Sequence, residues 1–227
     1  MADLVITIDG PAASGKSTIA RLVAQKLGAS FLDTGAMYRA VTLAAIKAGA
    51  DLNDQKQLLD ILKESEFDFS VTNGSMKVCI DGADVTGEVR NPEVTANARH
   101  IASATQVRSE LVQMQRQFAA KEKKIVTEGR DQGTVAFSDA DIKFYLTADL
   151  AERARRRQAE LQAQGVSESL SQIQKDIEER DKSDENRAVG PLKPAKDAIV
   201  IDTTNLSIEE VVEKVLGLIK EKCSKKK

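Results

Sequence analysis

Residues 4–17 read LVITIDGPAASGKS, and this stretch decides the fold. The apolar run at its start predicts a buried strand, and residues 10–17 match the pattern G-x-x-x-x-G-K-S. A helical pattern follows, with Ile19, Val23 and Leu27 on one face and Gly28 at its end. A strand, a glycine-rich turn and a helix in this order predict a loop whose N–H groups surround phosphate oxygens at a helix N-terminus.

The side chains of this loop predict a nucleotide site. Lys16 is a catalytic candidate because its ammonium can reach the β- and γ-phosphates, and the Ser17 hydroxyl is the candidate Mg²⁺ ligand. The loop therefore predicts binding of ATP with Mg²⁺, although it does not specify the reaction. The expected contacts to the donor come from Gly10, Pro11, Ala12, Ala13, Ser14, Gly15, Lys16, Ser17 and Thr18.

Composition excludes several classes of protein. The chain has 227 residues, 41% hydrophobic and 30% charged, as in ordinary globular proteins. A net charge of −2 and 4% aromatic residues favour neither nucleic acid binding nor a membrane surface. Two cysteines do not make a disulfide framework, and we find neither a membrane-spanning run nor a signal pattern. These features predict a cytoplasmic monomer that binds neither nucleic acid nor membrane.

Strand and helix patterns alternate along the chain. Apolar runs predict further strands, and 3.6-residue periodicity predicts helices, including one continuous helix over about residues 92–120. The predicted strands cover residues 31–32, 124–127, 142–146 and 199–201, and the other predicted helices cover about residues 36–48, 58–62, 153–164, 170–181 and 207–219. This alternation predicts an α/β fold, a three-layer sandwich with a mainly parallel central sheet and helices on both faces. Ligands of such sheets bind beyond the carboxyl ends of the strands.

A local change of period interrupts the alternation. Residues 67–71 and 76–80 alternate apolar and polar side chains, and Asn73 with Gly74 forms a tight-turn signal between them. The pattern predicts an antiparallel sheet of about three strands. We therefore expect one domain, residues 1–227, with a core of residues 1–64, 91–152 and 183–227, a β insertion of residues 65–90 and a short helical region of residues 153–182.

Several arginines lie next to the expected strand ends and loops, and their placement favours one type of reaction over others. Phosphoryl transfer between two polyanions needs fixed cations, and the planar guanidinium holds phosphate in two places. His100, the one histidine, lies within the long helical pattern, where a structural role is expected, and no obvious general base is present. A phosphate acceptor needs no base because its oxygen is already ionised at neutral pH.

Four longer stretches then match a known family. They are residues 6–11, ITIDGP, residues 32–39, LDTGAMYR, residues 128–134, EGRDQGT, and the two parts of residues 179–192, ERD and NRAVGPL. In these stretches, and over nearly the whole chain including the β insertion, the sequence resembles the bacterial cytidylate kinases, a family of nucleoside-monophosphate kinases. The second and third stretches are much more specific than the phosphate loop alone.

The resemblance implies transfer of the ATP γ-phosphoryl group to CMP or dCMP with Mg²⁺, in pyrimidine nucleotide metabolism. It implies that Arg130, Asp131, Arg153 and Arg157 join Lys16 as catalytic candidates, with Arg153 and Arg157 as lid arginines that close over ATP. Asp131 would tune the waters of Mg²⁺ or hold a group of the acceptor. The acceptor phosphate would contact Thr34, Arg39 and Arg130, the sugar would contact Tyr38, Arg180 and Asp184, and the cytosine would contact Arg108 and Arg187.

The sequence departs from the family at one position and leaves alternatives open. Arg99 stands nine residues before Arg108, where the family pattern has a serine that contacts the base, so base selectivity is in question. A UMP/CMP or AMP kinase of the same fold is the first alternative. The second is a non-catalytic ATP-binding regulatory module, which the acceptor and lid arginines argue against.

Overall fold

The computed structural model describes residues 2–72, 74–163 and 165–224. Its strands are β1 (Leu4–Asp9), β2 (Ser30–Asp33), β3 (Phe67–Thr72), β4 (Ser75–Ile80), β5 (Ala83–Asp84), β6 (Lys124–Gly129), β7 (Ile142–Thr147) and β8 (Ile199–Asp202). Its helices are α1 (Lys16–Leu27), α2 (Thr34–Lys47), α3 (Gln55–Glu64), α4 (Pro92–Ser103), α5 (Thr105–Ala120), α6 (Leu150–Ala163), α7 (Leu170–Glu185) and α8 (Ile208–Ser224). Among these elements no helix is long and apolar enough to cross a membrane.

Five strands form a parallel central sheet in the order β2-β6-β1-β7-β8. In register, Asp9 at the end of β1 lies beside Gly129 of β6, and Asp33 at the end of β2 lies beside Glu128. The segments that follow β1, β2 and β6 therefore lie side by side at the carboxyl ends of these strands. The phosphate loop and the second and third family stretches were expected at these strand ends.

Helices cover both faces of the sheet, as predicted. On one face, α1 and α8 pack against β1, β6 and β7 around Ile8, Val126, Phe144 and Val215, all nearly inaccessible to solvent. On the other face, α2, α4 and α5 pack around Met37, which is fully buried. Burying one apolar stripe of each helix against a fully buried parallel sheet explains the three layers.

The small antiparallel sheet is confirmed, with strand order β3-β4-β5. The alternation in β4 buries Met76 and Val78 against the core that contains α2. Gly74 has φ 71°, as a tight turn requires, whereas Asn73 of the predicted turn lies outside the described residues.

The single long helix predicted over residues 92–120 is wrong, because the chain forms α4 and α5 there. Ala104 between them is extended, with φ −76° and ψ 101°. Arg108 Nη1 donates to the carbonyl oxygen of Ala102, 3.2 Å away, which satisfies a group that the break removes from helical pairing. Alanine, serine and threonine at the break are all compatible with a helix, so local propensity contains no sign of it.

Residues 153–182, the lid that the family resemblance implies, lie on α6 and α7. These two helices pack against each other and contain Arg153, Arg157 and Arg180. Gln164, the predicted end of the first of these helices, lies outside the described residues. At α8 the start is as expected from a capping box: Ser207 N–H donates to Glu210 Oε2 at 2.8 Å, and Glu210 N–H donates to Ser207 Oγ at 3.2 Å.

Candidate active site

The phosphate loop connects β1 to the N-terminus of α1. A Cβ on Gly10 would overlap the carbonyl oxygen of Leu146, so only glycine fits there. Gly15 has φ 82° and caps α1, and Ala13 has φ 57°, which is rare for a residue with a Cβ. The Ser14 hydroxyl is buried and has no hydrogen-bond partner among the described residues. An unpaired buried polar group of this kind suits a site that receives a polar ligand.

Lys16 lies inside this loop, where its ammonium donates to the carbonyl oxygen of Pro11 at 3.0 Å. Burial, followed by repulsion from Arg130, lowers the pKa of Lys16 from 10.5 to about 7. An anionic ligand in the loop would restore the ammonium to its charged form. Glu128 and Asp184 oppose this shift only in part, so a further negative charge in the loop would stabilise the ammonium.

Ser17, the predicted Mg²⁺ ligand, donates from Oγ to Oε1 of Glu128 at 2.9 Å. Glu128 is buried at the end of β6, the strand next to β1. Sequence reasoning missed it as a site residue, although an acidic residue at the end of an apolar strand was a usable signal. Phosphate-loop enzymes hold Mg²⁺ with the loop hydroxyl and a carboxylate on a strand end, and the ion keeps several waters and substrate oxygens. Ser17 and Glu128 fit that arrangement.

A chain of ion pairs joins the predicted acceptor residues across the cleft from the loop. Arg130 Nε donates to Asp184 Oδ2 at 2.7 Å, and Arg187 binds the other carboxylate oxygen of Asp184. Burial opposes ionisation of Asp184, but Arg130, Arg187 and Arg180 lower its pKa. Arg180 lies one helical turn earlier on α7 with an exposed side chain. The structure thus brings four of the predicted residues together at one end of α7.

A second buried pair lies beside the first. Arg108 binds the Asp131 carboxylate, and its guanidinium carbon lies 5.4 Å from the centre of the Tyr38 ring. Gly190, with φ 63°, crosses directly above this pair, where a Cβ would overlap the Asp131 carboxylate. Arg108 Nε is buried and has no hydrogen-bond partner among the described residues, so this pair retains a donor for a ligand.

The junction of β2 and α2 contributes the remaining acceptor candidates. Asp33 caps α2 by accepting from Ala36 N–H at 2.8 Å, and its other oxygen lies 3.5 Å from Arg39 and 3.2 Å from Arg90. Thr34 Oγ1 donates to the carbonyl oxygen of Glu128 at 2.7 Å, which fixes the start of α2 to β6. Arg90 was not singled out from the sequence, because nothing local distinguishes it from a surface arginine.

Asp9, the last residue of β1, accepts hydrogen bonds from the backbone that follows β6. Its side chain is buried, Oδ1 accepts from Gln132 N–H at 2.9 Å, and Oδ2 accepts from Gly133 N–H at 2.8 Å. Burial raises the pKa of Asp9 from 3.8 to about 7. Because both carboxylate oxygens are occupied by backbone donors, Asp9 fixes the loop that bears Arg130 and Asp131.

The two predicted lid arginines lie in different surroundings. Arg153 is buried, donates to the carbonyl oxygens of Ala12 and Ala148 at 3.0 Å each, and binds the Asp181 carboxylate. Arg157 has a side chain that is 39% exposed and pairs with Glu160. The structure therefore joins Arg153 to the phosphate loop itself, whereas Arg157 remains accessible at the surface.

Arg99 faces a cavity of about 330 Å³ between α3, α4 and α7. Ser103 and Ser183 line the same cavity, and Ala104 at the α4–α5 break forms part of its wall. Because Arg108 is anchored next to this break, the position that departs from the family pattern borders the predicted base site.

Comparisons with known proteins agree with this geometry. The family model for cytidylate kinase matches residues 6–221. Cytidylate kinase from Shouchella clausii is 47% identical over 216 residues, 95% of this chain and 96% of that protein. Cytidylate kinase from Lactobacillus johnsonii is 43% identical over 217 residues, 96% of this chain and 94% of that protein. An uncharacterized protein from Eubacterium ventriosum shares the fold at a TM-score of 0.52 and 13% identity, over 96% of this chain and 99% of that one.

The match extends over the phosphate loop, the small sheet and the helix that bears Asp184, so it covers every part of the cleft. It confirms the family that the sequence motifs indicated and does not favour a non-catalytic role. The chain belongs to the cytidylate kinase family and is a kinase.

Proposed function

We propose that this chain transfers the γ-phosphoryl group of ATP to CMP or dCMP, giving ADP and CDP or dCDP. One observation supports this proposal above the others: Arg130 and Arg108 are held by carboxylates where the chain leaves β6, the strand beside β1 and its phosphate loop, in a chain of this family. Fixed cations between two phosphate sites are what transfer between polyanions requires.

On the donor side, the loop backbone from Gly10 to Thr18 and the Lys16 ammonium would bind the ATP phosphates. Ser17 and Glu128 would hold Mg²⁺, which neutralises charge on the phosphate oxygens when it is bound. The Ser14 hydroxyl would find a phosphate oxygen as the partner that it lacks. We assign Arg157 to the donor phosphates because its side chain is accessible.

On the acceptor side, Arg39 and Arg130 would bind the monophosphate, and Thr34 would line the same pocket. Tyr38, Arg180 and Asp184 would lie at the sugar, and Arg108 and Arg187 would lie at the base. Asp131 would hold an acceptor group while paired with Arg108. Buried nitrogens with no hydrogen-bond partner among the described residues, Nε of Arg39 and Nε of Arg108, support an anionic and polar ligand here.

No side chain needs to remove a proton in this scheme. The acceptor oxygen is ionised, so the residues orient it in line with the γ-phosphoryl group and neutralise the charge that spreads over the transferring oxygens. Because Arg130 is partly buried and fixed by Asp184, its charge is already in place before the reaction. The monomeric state and the cytoplasmic location stay predictions from the sequence.

The test compares acceptors at saturating ATP and Mg²⁺, by ADP release with CMP, dCMP, UMP and AMP. We expect CMP and dCMP to be used far better than UMP and AMP. A preference for UMP or AMP would leave the reaction type standing but refute the assigned substrate. ATP binding without turnover on any of the four acceptors would refute the proposed function. The variant Arg99→Ser, measured on the same acceptors, shows whether the departure at this position changes base selectivity.

A further inference from the structure

In the phosphate loop, Ala12 is contacted by α6 and α7 through its backbone N–H, its carbonyl oxygen and its side chain. Ala12 N–H donates to Asp181 Oδ1 at 3.0 Å, and the Ala12 carbonyl oxygen accepts from Arg153 Nη1 at 3.0 Å. Its methyl group packs in an apolar cluster with Ala154, Ile173 and Ile177. Both backbone groups and the side chain of Ala12 are therefore committed to the two lid helices.

Asp181 and Arg153 complete this arrangement by binding each other. Arg153 Nε also donates to the carbonyl oxygen of Ala148, at the base of α6. The side chain of Arg153 is 10% exposed and that of Asp181 is 11% exposed. A buried arginine that is shared among two carbonyls and a carboxylate is held in one geometry, and it is not free to turn toward a ligand.

The backbone next to Ala12 explains why such bracing is needed. Ala13 has φ 57°, a conformation that costs of order 1–3 kcal/mol and persists only where the surroundings enforce it. This conformation turns the following N–H groups inward, where phosphates bind. Without contacts at Ala12, the loop would relax toward a backbone shape that no longer surrounds phosphate.

We propose that Asp181 and Arg153 form a clasp on Ala12 that holds the phosphate loop in its binding shape, which makes both of them positioning residues. Arg153 then acts through the loop backbone and not by closing over ATP. The clasp also fixes α7, the helix of Arg180 and Asp184, to the donor loop. This inference rests on the proposed use of the loop for ATP.

The variant Asp181→Asn tests the clasp because it keeps the volume and removes the charge that Arg153 needs. Loss of a charge-assisted contact corresponds to about a 10- to 100-fold change, so we expect the Kd and KM for ATP to rise by that factor. The KM for CMP should stay within about threefold, since Asp184 keeps Arg130 and Arg187 as partners. A smaller fraction of folded protein would lower the apparent kcat but would not raise the KM for ATP relative to the KM for CMP.

A control exists at Lys143, another buried cation, whose side chain is 8% exposed and which pairs with Asp197, a carboxylate that is 63% exposed. Asp197→Asn makes the same chemical change at a pair that has no hydrogen bond to the phosphate loop, and Lys143 keeps the carbonyl oxygen of Ser138 as a partner. We expect a small loss of Tm, less than in Asp181→Asn, and no change in the affinity for ATP.

ATP affinity is measured by calorimetry without acceptor, so the test does not depend on CMP as substrate. If the wild type binds ATP but does not phosphorylate CMP, the proposed function fails and the clasp is still tested. Should Asp181→Asn not fold, Arg153→Lys keeps the charge but loses the fork, and we expect a weaker affinity for ATP. Equal affinity for ATP in these variants and the wild type, with only Tm reduced, would overturn the clasp.

Discussion

Arg130→Ala removes the arginine to which we assign the neutralisation of charge in the transfer step. Arg130 Nε lies 2.7 Å from Asp184, and its side chain is 16% exposed. A fixed arginine that stabilises phosphoryl transfer contributes about 10³- to 10⁵-fold in kcat, which corresponds to roughly 4–7 kcal/mol. The fold should survive because Asp184 keeps Arg187 as a partner. We therefore expect kcat to fall at least a thousandfold, with Tm only a few degrees lower.

The assay is steady-state ADP release with ATP, Mg²⁺ and CMP, beside a thermal melt of each protein. Arg116→Ala is the matched control, because Arg116 pairs with Asp139 at 3.2 Å near the opposite edge of the sheet. It should keep kcat within about twofold, as expected for an exposed ion pair. An Arg130→Ala protein that folds and keeps kcat within about tenfold of the wild type would refute the role of Arg130 in the transfer step.

Three further variants test other parts of the site. Asp9 holds a proton in the folded state from about pH 4 to pH 7, where the unfolded chain has released it, so the contribution of Asp9 to the free energy of unfolding should fall as pH rises through this window and stay constant above it. Asp9→Asn should remove that slope in urea titrations at each pH, and an unchanged slope would contradict the raised pKa. Gly190→Ala should destabilise the protein by about 3 kcal/mol and raise the KM for CMP, because its Cβ would overlap Asp131 at a positive φ; wild-type urea stability would disprove the close approach. Glu128→Gln should raise the Mg²⁺ concentration needed for half-maximal rate about tenfold, since it removes the carboxylate next to Ser17; an unaltered Mg²⁺ titration would remove Glu128 from the metal's environment.

Local sequence patterns were sufficient to predict the elements that depend on interactions between residues close together in the chain. The strand and helix that flank the phosphate loop follow from a short apolar run, two glycines and a 3.6-residue period. The antiparallel sheet follows from strict alternation in residues 67–80, which allows only one face to be buried. The parallel direction of the central strands follows from alternating strands and helices.

Pairings between distant residues could not be predicted in this way. Asp181 and Ala12 are 169 positions apart, and nothing near either residue indicates that one holds the other. Glu128 and Ser17 meet because β6 lies next to β1, which only the strand order determines. At the break near Ala104, the Arg108 side chain donates to a carbonyl oxygen in place of a backbone N–H. Helix propensities contain no information about such a side-chain contact.

The most direct test of the central claim follows the transferred group itself. A single turnover with ATP labelled at the γ-phosphoryl group, Mg²⁺ and excess CMP should place the label in CDP and leave almost none as inorganic phosphate, because in the proposed mechanism the paired arginines align an ionised acceptor for direct transfer. Label released mainly as inorganic phosphate, or retained in ATP while ATP is bound, would contradict direct transfer to the monophosphate.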